Sequence, residues 1–162
     1  MFSLEPLGPQ HEAAVLAFER ENRAYFAKSI SDRGDSFFQQ FSELYRALLA
    51  EQEAGAGAFY VFVDGDGAVV ARFNLYDLAD GTAVVGYRVA ERVSGQGVAT
   101  SGVRELCRGA REDIGLRMLT AAVGSGNVSS QRVLAKVGFV LIGPTEVGGG
   151  PGSAFTLDLA VL

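Results

Sequence analysis

Residues 84–107 of the chain read VVGYRVAERVSGQGVATSGVRELC. The apolar start predicts a strand, Gly95 and Gly97 predict a tight turn, and the apolar spacing after the turn predicts an amphipathic helix. A turn that leads directly into a helix aims free backbone N–H groups, together with the positive end of the helix dipole, at one point. This stretch therefore predicts an anion site suited to a phosphate or a pyrophosphate.

Two other kinds of phosphate-binding turn do not fit these residues. A Walker loop requires Gly-Lys followed by Ser or Thr, and the turn contains no lysine. A dinucleotide-binding fingerprint requires a third glycine and a parallel strand-helix-strand unit. Because Gly102 is displaced from the third position and the preceding strands are expected to be antiparallel, both alternatives fail on context.

The rest of the chain predicts a mixed α/β (α+β) domain. Asp-Gly pairs separate the apolar runs before the anion site, which is typical of an antiparallel meander of three strands. The predicted elements are helices at 11–27 and 37–49, strands within 58–90, a helix within 95–115, a strand at 118–124, a helix at 127–137, and strands at 140–143 and 154–162. This order favours a single domain over residues 1–162.

Local residues also predict where two of these helices begin or end. Asp35 or Ser36 is expected to cap the second helix, because a short polar side chain can accept a first-turn N–H. Asn127 or Ser129 is expected to cap the fourth helix in the same way. Gly138 is expected to end that helix, since glycine favours the left-handed conformation found there.

The composition narrows the classes of partner. The chain has 162 residues, of which 48% are hydrophobic, with a net charge of −5 and a pI of about 4.9. The acidic balance argues against nucleic acid or an anionic membrane surface and accommodates an amine-bearing partner more easily. Since neither a run of 18 apolar residues nor a secretory leader is visible, the expected location is cytoplasmic.

The cysteine and histidine counts exclude several kinds of site. One cysteine, Cys107, and one histidine, His11, leave no disulfide framework, multi-cysteine metal site or histidine cluster. No metal is therefore expected. Cys107 lies on the apolar face of its helix and is expected to be buried, whereas His11, at the start of the first helix, is expected to be exposed to solvent.

Two motifs resemble a known family. Residues 92–97, Arg-Val-Ser-Gly-Gln-Gly, resemble the Arg/Gln-x-x-Gly-x-Gly/Ala motif that follows the fourth strand of GNAT superfamily acetyl-CoA-dependent N-acetyltransferases. Residues 127–139, NVSSQRVLAKVGF, are similar to the Asn-x-x-Ser…Leu-x-Lys-x-Gly-Phe block of the RimJ/RimL-like group, which acetylates protein N-terminal amines. The resemblance covers residues 83–140 and extends loosely, through element order, to the whole chain.

This resemblance implies the GNAT fold, a twisted and mostly antiparallel sheet of about six to seven strands flanked by helices. Its central strands are splayed to admit acetyl-CoA, the cosubstrate. It also implies a role for Ser130 near the sulfur of the thioester, for the backbone of Val89 along the pantetheine arm and at the thioester oxygen, and for Asn127 at the pantetheine arm. The residues expected at the pyrophosphate are Gly95, Gln96, Gly97, Val98, Ala99 and Thr100, with Arg92 adding charge and with Arg132 and Lys136 reaching phosphate or solvent.

The chain departs from the family at two points. Leu134 stands where many members carry a tyrosine that acts as general acid, so Ser130 becomes the candidate for helping the thiolate leave. The strand at 83–89 has no Asp or Glu, and Val84 stands where a carboxylate base would be expected. Tyr87, on the same strand, is interpreted mainly as a packing aromatic, although it could also contact the cofactor or acceptor. Contact with the acceptor is likewise left open for His11 and for the loop at 145–152.

The missing base favours an acceptor of low pKa. At pH 7 about 0.04% of a lysine amine is neutral, against about 10–15% of an α-amine. Direct attack by a protein or peptide N-terminal α-amine is therefore predicted. Two alternatives stay open: acetylation of a small-molecule amine of the antibiotic or polyamine type, and a non-catalytic acetyl-CoA-binding sensor or sequestering module. The chain is expected to act as a monomer or a homodimer.

Overall fold

The computed structural model describes residues 2–162, which build one sheet of seven strands. The strands are β1 (Ser3–Pro6), β2 (Ala58–Val63), β3 (Val69–Ala79), β4 (Thr82–Val89), β5 (Met118–Gly124), β6 (Val140–Val147) and β7 (Gly150–Asp158). Their order across the sheet is β1-β2-β3-β4-β5-β7-β6. Every neighbouring pair is antiparallel except β4 and β5, which are parallel. The predicted mixed α/β fold with a mostly antiparallel sheet is confirmed.

Helices cover both faces of this sheet. They are α1 (Glu12–Glu21), α2 (Arg23–Phe26), α3 (Asp35–Gln39), α4 (Phe41–Glu53), α5 (Val98–Gly109) and α6 (Val128–Val137). On β3, Arg72 donates a hydrogen bond to Glu19 of α1, whereas the next residue, Phe73, lies against Gly102 of α5. Successive residues of a strand face opposite sides, so α1 and α5 lie on opposite faces of the sheet. None of the helices within residues 2–162 has the length and apolar character that crossing a membrane requires.

The central parallel pair separates after three residues. Thr82–Val84 of β4 pair with Met118–Thr120 of β5, and there the pairing stops. The rest of β5 pairs only with β7, while residues 85–89 of β4 pair only with β3. One edge of β4 therefore faces a gap with its backbone groups unpaired by a strand, and the splayed central strands are confirmed.

Close packing of α5 on β3 depends on Gly102. A Cβ at position 102 would overlap the ring of Phe73, and Phe73 is itself fully buried. Cys107, further along the same helix, is also fully buried, as predicted. Burial raises the pKa of its thiol to about 12, so the thiol stays protonated at neutral pH.

We expect Gly102→Ala to lower the free energy of unfolding by about 1–3 kcal/mol, because the added methyl group overpacks a full core. Gly109→Ala in the same helix is the matched control. Its Cβ would meet only the Asp113 carboxylate, at 3.4 Å, so it should be neutral or stabilising by up to about 1 kcal/mol. Urea unfolding of both variants measures the difference, and equal effects would contradict the close contact with Phe73.

Strand β1 was not predicted, and it changes the environment of His11. β1 pairs with β2 at the edge of the sheet and carries Glu5, whose Oε1 lies 3.0 Å from Nε2 of His11. The other ring nitrogen of His11 accepts the backbone N–H of Gly8 at 3.1 Å. Since His11 is only 6% exposed, the expectation of a solvent-exposed histidine is wrong.

Each of the two predicted N-terminal helices is broken in two. The buried side chain of Asn22 separates α1 from α2, and its Oδ1 accepts the backbone N–H of Glu91 at 3.0 Å. Gly34 precedes α3 without a side-chain cap, so the expectation that Asp35 or Ser36 caps this helix is wrong. Both residues already lie inside its first turn.

The C-terminal elements follow the predictions more closely. Asn127 caps α6 by accepting a first-turn N–H at 3.3 Å, and Gly138 ends the helix in the left-handed region at φ +117°. Both predictions are confirmed. β6 runs to Val147, beyond the predicted 140–143, whereas residues 159–161 form a 3-10 turn instead of the end of the last strand.

Candidate active site

A cavity of about 420 Å³ lies where β4 and β5 separate. Residues from α2 and the segment after it, from β4, from the turn before α5, from the first turn of α5 and from α6 with its cap line it. They are Tyr25, Phe26, Ser29, Ile30, Tyr87, Arg88, Val89, Val93, Ser94, Gly95, Gly97, Val98, Ala99, Thr100, Asn127, Ser129, Ser130, Arg132, Val133 and Lys136. Phe26 of α2 packs against Phe18 of α1, and Lys136 of α6 accepts a hydrogen bond from Arg104 of α5, so the lining draws on both faces of the sheet.

One part of the cavity is an uncapped helix N-terminus. Gly95 and Gly97 adopt φ values of +74° and +78°. Residues other than glycine adopt this left-handed conformation only with strain. No side chain caps α5, and the first-turn N–H groups of a helix have no intrahelical partner. These N–H groups and the helix dipole can bind an anion at the cavity wall.

Ten of the twelve predicted site residues line the cavity, and Arg92 and Gln96 do not. Nη2 of Arg92 lies 3.1 Å from Oδ2 of Asp64, in the turn between β2 and β3, and the Arg92 side chain is about half exposed. Gln96 has only a long 3.5 Å contact with the carbonyl oxygen of Arg92. Three cationic side chains do line the cavity: Arg88 of β4, and Arg132 and Lys136 of α6.

Ser130 is hydrogen-bonded to Tyr87. Their hydroxyl oxygens are 2.6 Å apart, and either one can donate. Burial raises the pKa of Tyr87, and the bond from Ser130 opposes this only in part. Tyr87 is therefore protonated at neutral pH. Tyr87 was assigned mainly to packing, and it does lie against Phe73, with ring centroids 6.1 Å apart. The signal for its second contact was its position two residues before Val89, on the same face of the strand.

The lining within residues 2–162 contains no Asp, Glu or His. Val84, which stands where a carboxylate base would be expected, is the last β4 residue paired with β5. In the same described part of the chain, no group of three or more His, Cys, Asp or Glu side chains could hold a metal ion. The cations of the lining, Arg88, Arg132 and Lys136, have no carboxylate beside them on the cavity wall.

A buried carboxylate, Glu19 of α1, lies behind this wall and binds three arginines. Its oxygens lie 2.8 Å from Arg72, 3.2 and 3.3 Å from Arg33 and 3.4 Å from Arg88. Burial alone would raise the pKa of Glu19, but Arg33, Arg72 and Arg88 outweigh it and hold the pKa below its usual value. With its acceptor positions occupied, Glu19 is a poor base.

The turn between β6 and β7 lies close to the α2 side of the cavity. A Cβ at Gly148 would come within 3.1 Å of Oγ of Ser31. Ser31 follows Ser29 and Ile30, which line the cavity. Of the segments whose contact with the acceptor was left open, the loop at 145–152 is therefore a neighbour of the cavity mouth, whereas His11 is not part of the lining.

Comparison with known proteins gives a consistent picture. A family model described as an acetyltransferase (GNAT) domain matches residues 2–140. A curated relative, the probable N-acetyltransferase YjcK of Bacillus subtilis (strain 168), is 27% identical over 145 residues, which cover 84% of this chain and 78% of that protein.

Solved structures share the fold at low identity. The ribosomal-protein-S5-alanine acetyltransferase from Vibrio fischeri has a TM-score of 0.89 at 17% identity, covering 97% of this chain and 92% of its own. RimJ of Mycobacterium smegmatis, in complex with CoA-disulfide, has a TM-score of 0.87 at 22% identity, covering 99% and 83%. Spermidine N-acetyltransferase from Vibrio cholerae, in complex with CoA and spermine, has a TM-score of 0.78 at 14% identity, covering 98% and 96%.

Proposed function

Because this chain belongs to the acetyltransferase (GNAT) domain family and is an acetyltransferase, we propose that it transfers an acetyl group from acetyl-CoA to a protein or peptide N-terminal α-amine. The observation that carries the proposal is the lining of the cavity. It joins an uncapped helix N-terminus to the Ser130–Tyr87 pair and, within residues 2–162, contains no carboxylate or imidazole. The helix N-terminus and the Ser130–Tyr87 pair are both positioned by one continuous sheet, which supports a single domain over the chain.

The residues present fit acetyl-CoA. Its phosphates need positive charge and free donors, and the α5 N-terminus supplies donors while Arg132 and Lys136 supply charge. Its extended pantetheine arm needs backbone to pair with, and the open edge of β4 at 85–89 offers it. We assign the phosphates to Gly95, Gly97, Val98, Ala99 and Thr100 with the two cations, and the arm to Val89 and Asn127.

The reaction is a direct transfer. The neutral amine nitrogen forms a bond to the thioester carbonyl carbon, the carbon–sulfur bond breaks, and the sulfur leaves as the thiol after gaining a proton. The backbone N–H of Val89 would stabilise charge on the carbonyl oxygen. The Tyr87 hydroxyl can donate to Oγ of Ser130, which frees the Ser130 proton to point at the departing sulfur. The surplus amine proton goes to solvent, and solvent returns one proton to the Ser130–Tyr87 pair after the sulfur has taken one, so that the enzyme is restored.

The charge of the lining supports an α-amine acceptor over a polyamine. The ionised side chains on the wall are Arg88, Arg132 and Lys136, and a polycation would have to bind against these like charges without a carboxylate partner. A lysine amine would need a base to deprotonate it, and the carboxylate nearest to the wall, Glu19, is saturated by arginines. An α-amine needs neither a base nor a carboxylate partner.

We expect a peptide with a free α-amine to be acetylated about 300-fold faster at pH 7 than an N-acetylated peptide with one internal lysine, the ratio of their neutral fractions. Thiol release from acetyl-CoA measures both, with spermidine and an aminoglycoside as further acceptors. The rate for the α-amine should rise with pH only to about pH 8, because above its pKa the amine is already neutral.

Three results would contradict this assignment. A clear lysine preference would require a base that the cavity lining does not contain. Faster turnover of spermidine or the aminoglycoside would favour a small-molecule acceptor. Tight binding of acetyl-CoA without acceptor-dependent thiol release would favour the sensor or sequestering module. The same peptide with its α-amine blocked and its lysine acetylated is the control for background hydrolysis.

A further inference from the structure

The α1–α2 side of the cavity carries unbalanced positive charge. Three guanidinium groups, of Arg33, Arg72 and Arg88, share the single carboxylate of Glu19. Glu19 is 1% exposed, and the Arg72 and Arg88 side chains are 7% and 15% exposed. Buried charges are costly unless they are paired. Within residues 2–162, Nε of Arg72 also has no hydrogen-bond partner.

No other acidic side chain in the described residues relieves this excess. Asp32 and Asp35, which flank Arg33 in the sequence, bind Arg23 at 2.8–2.9 Å on the surface. The cluster therefore holds two more positive charges than negative charges. An anion from outside the chain would find this charge already in place.

Arg88 is the member of the cluster that reaches the cavity wall. Its Cζ lies 5.1 Å from the centre of the Phe26 ring, which holds the guanidinium plane in position. A guanidinium has five N–H donors, and the hydrogen bond that Arg88 makes within residues 2–162 is a long one, 3.4 Å to Glu19. Arg88 can therefore donate to a group inside the cavity without giving up a strong bond.

Arg88 also lies on the face of the sheet that the cofactor does not need. Tyr87 faces α6, where it bonds to Ser130. Arg88, the next residue of β4, faces α1 and α2, where it contacts Glu19 and Phe26. The groups assigned to acetyl-CoA come from the Tyr87 side and from the gap itself. The Arg88 side is left for the acceptor.

We propose, building on the proposed function, that Arg88 binds a carboxylate which the acceptor carries close to its reacting amine. The acceptors are then N-terminal peptides with an acidic side chain in their first two residues. Arg33 and Arg72 leave the cluster with surplus positive charge, while Phe26 and Glu19 hold the guanidinium in place. A charged hydrogen bond in this half-buried site favours an acidic peptide over its amide counterpart.

The test compares two peptides that differ in one group, Ala-Asp-Ala-Ala-Ala and Ala-Asn-Ala-Ala-Ala, both amidated at the C-terminus. The unmodified protein should acetylate the Asp peptide with at least tenfold higher kcat/KM. Arg88→Gln should bring this ratio to about one, chiefly by lowering kcat/KM for the Asp peptide. Arg46→Gln, the same substitution on an exposed arginine of α4 outside the cavity lining, should keep the ratio.

A binding measurement provides a second readout. In the presence of CoA, the N-acetylated Asp peptide should bind at least tenfold more tightly than the N-acetylated Asn peptide in a calorimetric titration, and Arg88→Gln should abolish the difference. If Arg88→Gln fails to fold, the preference of the unmodified protein for the Asp peptide over the Asn peptide still tests the proposal. A ratio near one overturns the role of Arg88 and leaves the α-amine assignment standing.

The other outcomes separate the two proposals. If neither peptide is acetylated while lysine or spermidine is, the proposed function fails and the peptide acceptor fails with it. If free alanine is preferred over alaninamide and over both peptides, the carboxylate belongs to a free amino acid. Arg88 would then still bind a carboxylate, but the proposal of a peptide acceptor would be overturned. If Arg88→Gln raises the KM for acetyl-CoA and leaves the peptide ratio unchanged, Arg88 serves the cofactor and the proposal is overturned.

Discussion

Replacing Glu19 with alanine should lower the free energy of unfolding by about 3–5 kcal/mol, the usual cost of leaving buried charges without their partner. Glu19 is 1% exposed, and its carboxylate accepts hydrogen bonds from Arg33, Arg72 and Arg88 at 2.8–3.4 Å. Without Glu19, three guanidinium groups would repel each other, and two of them, those of Arg72 and Arg88, are largely shielded from water. Since whole domains are stable by about 5–15 kcal/mol, this single change would use up much of the total.

Chemical denaturation at pH 7 measures the loss, with Glu43→Ala on the exposed side of α4 as the matched control. Glu43 makes no ion pair in the described part of the chain, so its removal should change stability by less than about 0.5 kcal/mol. Losses of similar size in the two variants would refute a structural role for the cluster.

Acid should weaken the contribution of Glu19. The pKa of this carboxylate is lower in the folded protein than its ordinary value of 4.5. The stabilisation is therefore fully present above pH 4.5 and is lost as the pH falls through the lower, folded-state pKa. The stability difference between the unmodified protein and Glu19→Gln should shrink on acidification below pH 4.5. A difference that stays constant down to pH 3 would argue against this charge pairing.

The second large effect is expected on turnover. Ser130→Ala should lower kcat about 100-fold, at the lower end of what a positioned proton donor contributes. The KM for acetyl-CoA should change less than threefold, because the hydroxyl would act when the sulfur leaves and not when the cofactor binds. Steady-state kinetics with the preferred peptide acceptor separates the two parameters, and unaltered turnover would remove Ser130 from the mechanism.

Tyr87 provides the way to test the pair as a unit. Its hydroxyl lies 2.6 Å from Oγ of Ser130, so Tyr87→Phe should lower kcat by a similar factor. The double variant should be little worse than either single variant, because the two groups would act in one step. Additive losses would mean that they act independently. Ser101→Ala, an exposed serine of α5 outside the cavity lining, controls for loss of a serine hydroxyl elsewhere.

Features built from neighbouring residues could be predicted from the sequence. The turn with Gly95 and Gly97, the cap at Asn127 and the helix end at Gly138 each depend on backbone preferences within a few residues. The identity of the family followed from the same local motifs, and so did the departure at Leu134. Errors appeared where a distant segment changed the setting. His11 was placed in solvent because β1, which carries its partner Glu5, was not predicted.

The contacts that distinguish this site join residues that are far apart in the sequence. Tyr87 and Ser130 are 43 residues apart, and Glu19 is 53 and 69 residues from Arg72 and Arg88. A side chain's own neighbours in sequence do not determine which distant group it meets, because pairing of strands and packing of helices bring such groups together.

The chain's local chemistry was sufficient to predict a GNAT-like fold, an anion site and the absence of a strand carboxylate. The resemblance also implied splayed central strands, but only the tertiary structure showed where β4 and β5 separate and that Tyr87 and Arg88 point in opposite directions. The gap exists because β5 leaves β4 after three paired residues and continues beside β7 alone. The pleat of β4 then turns one side chain toward Ser130 and the next toward Glu19, which is where the proposed chemistry and the proposed acceptor recognition separate.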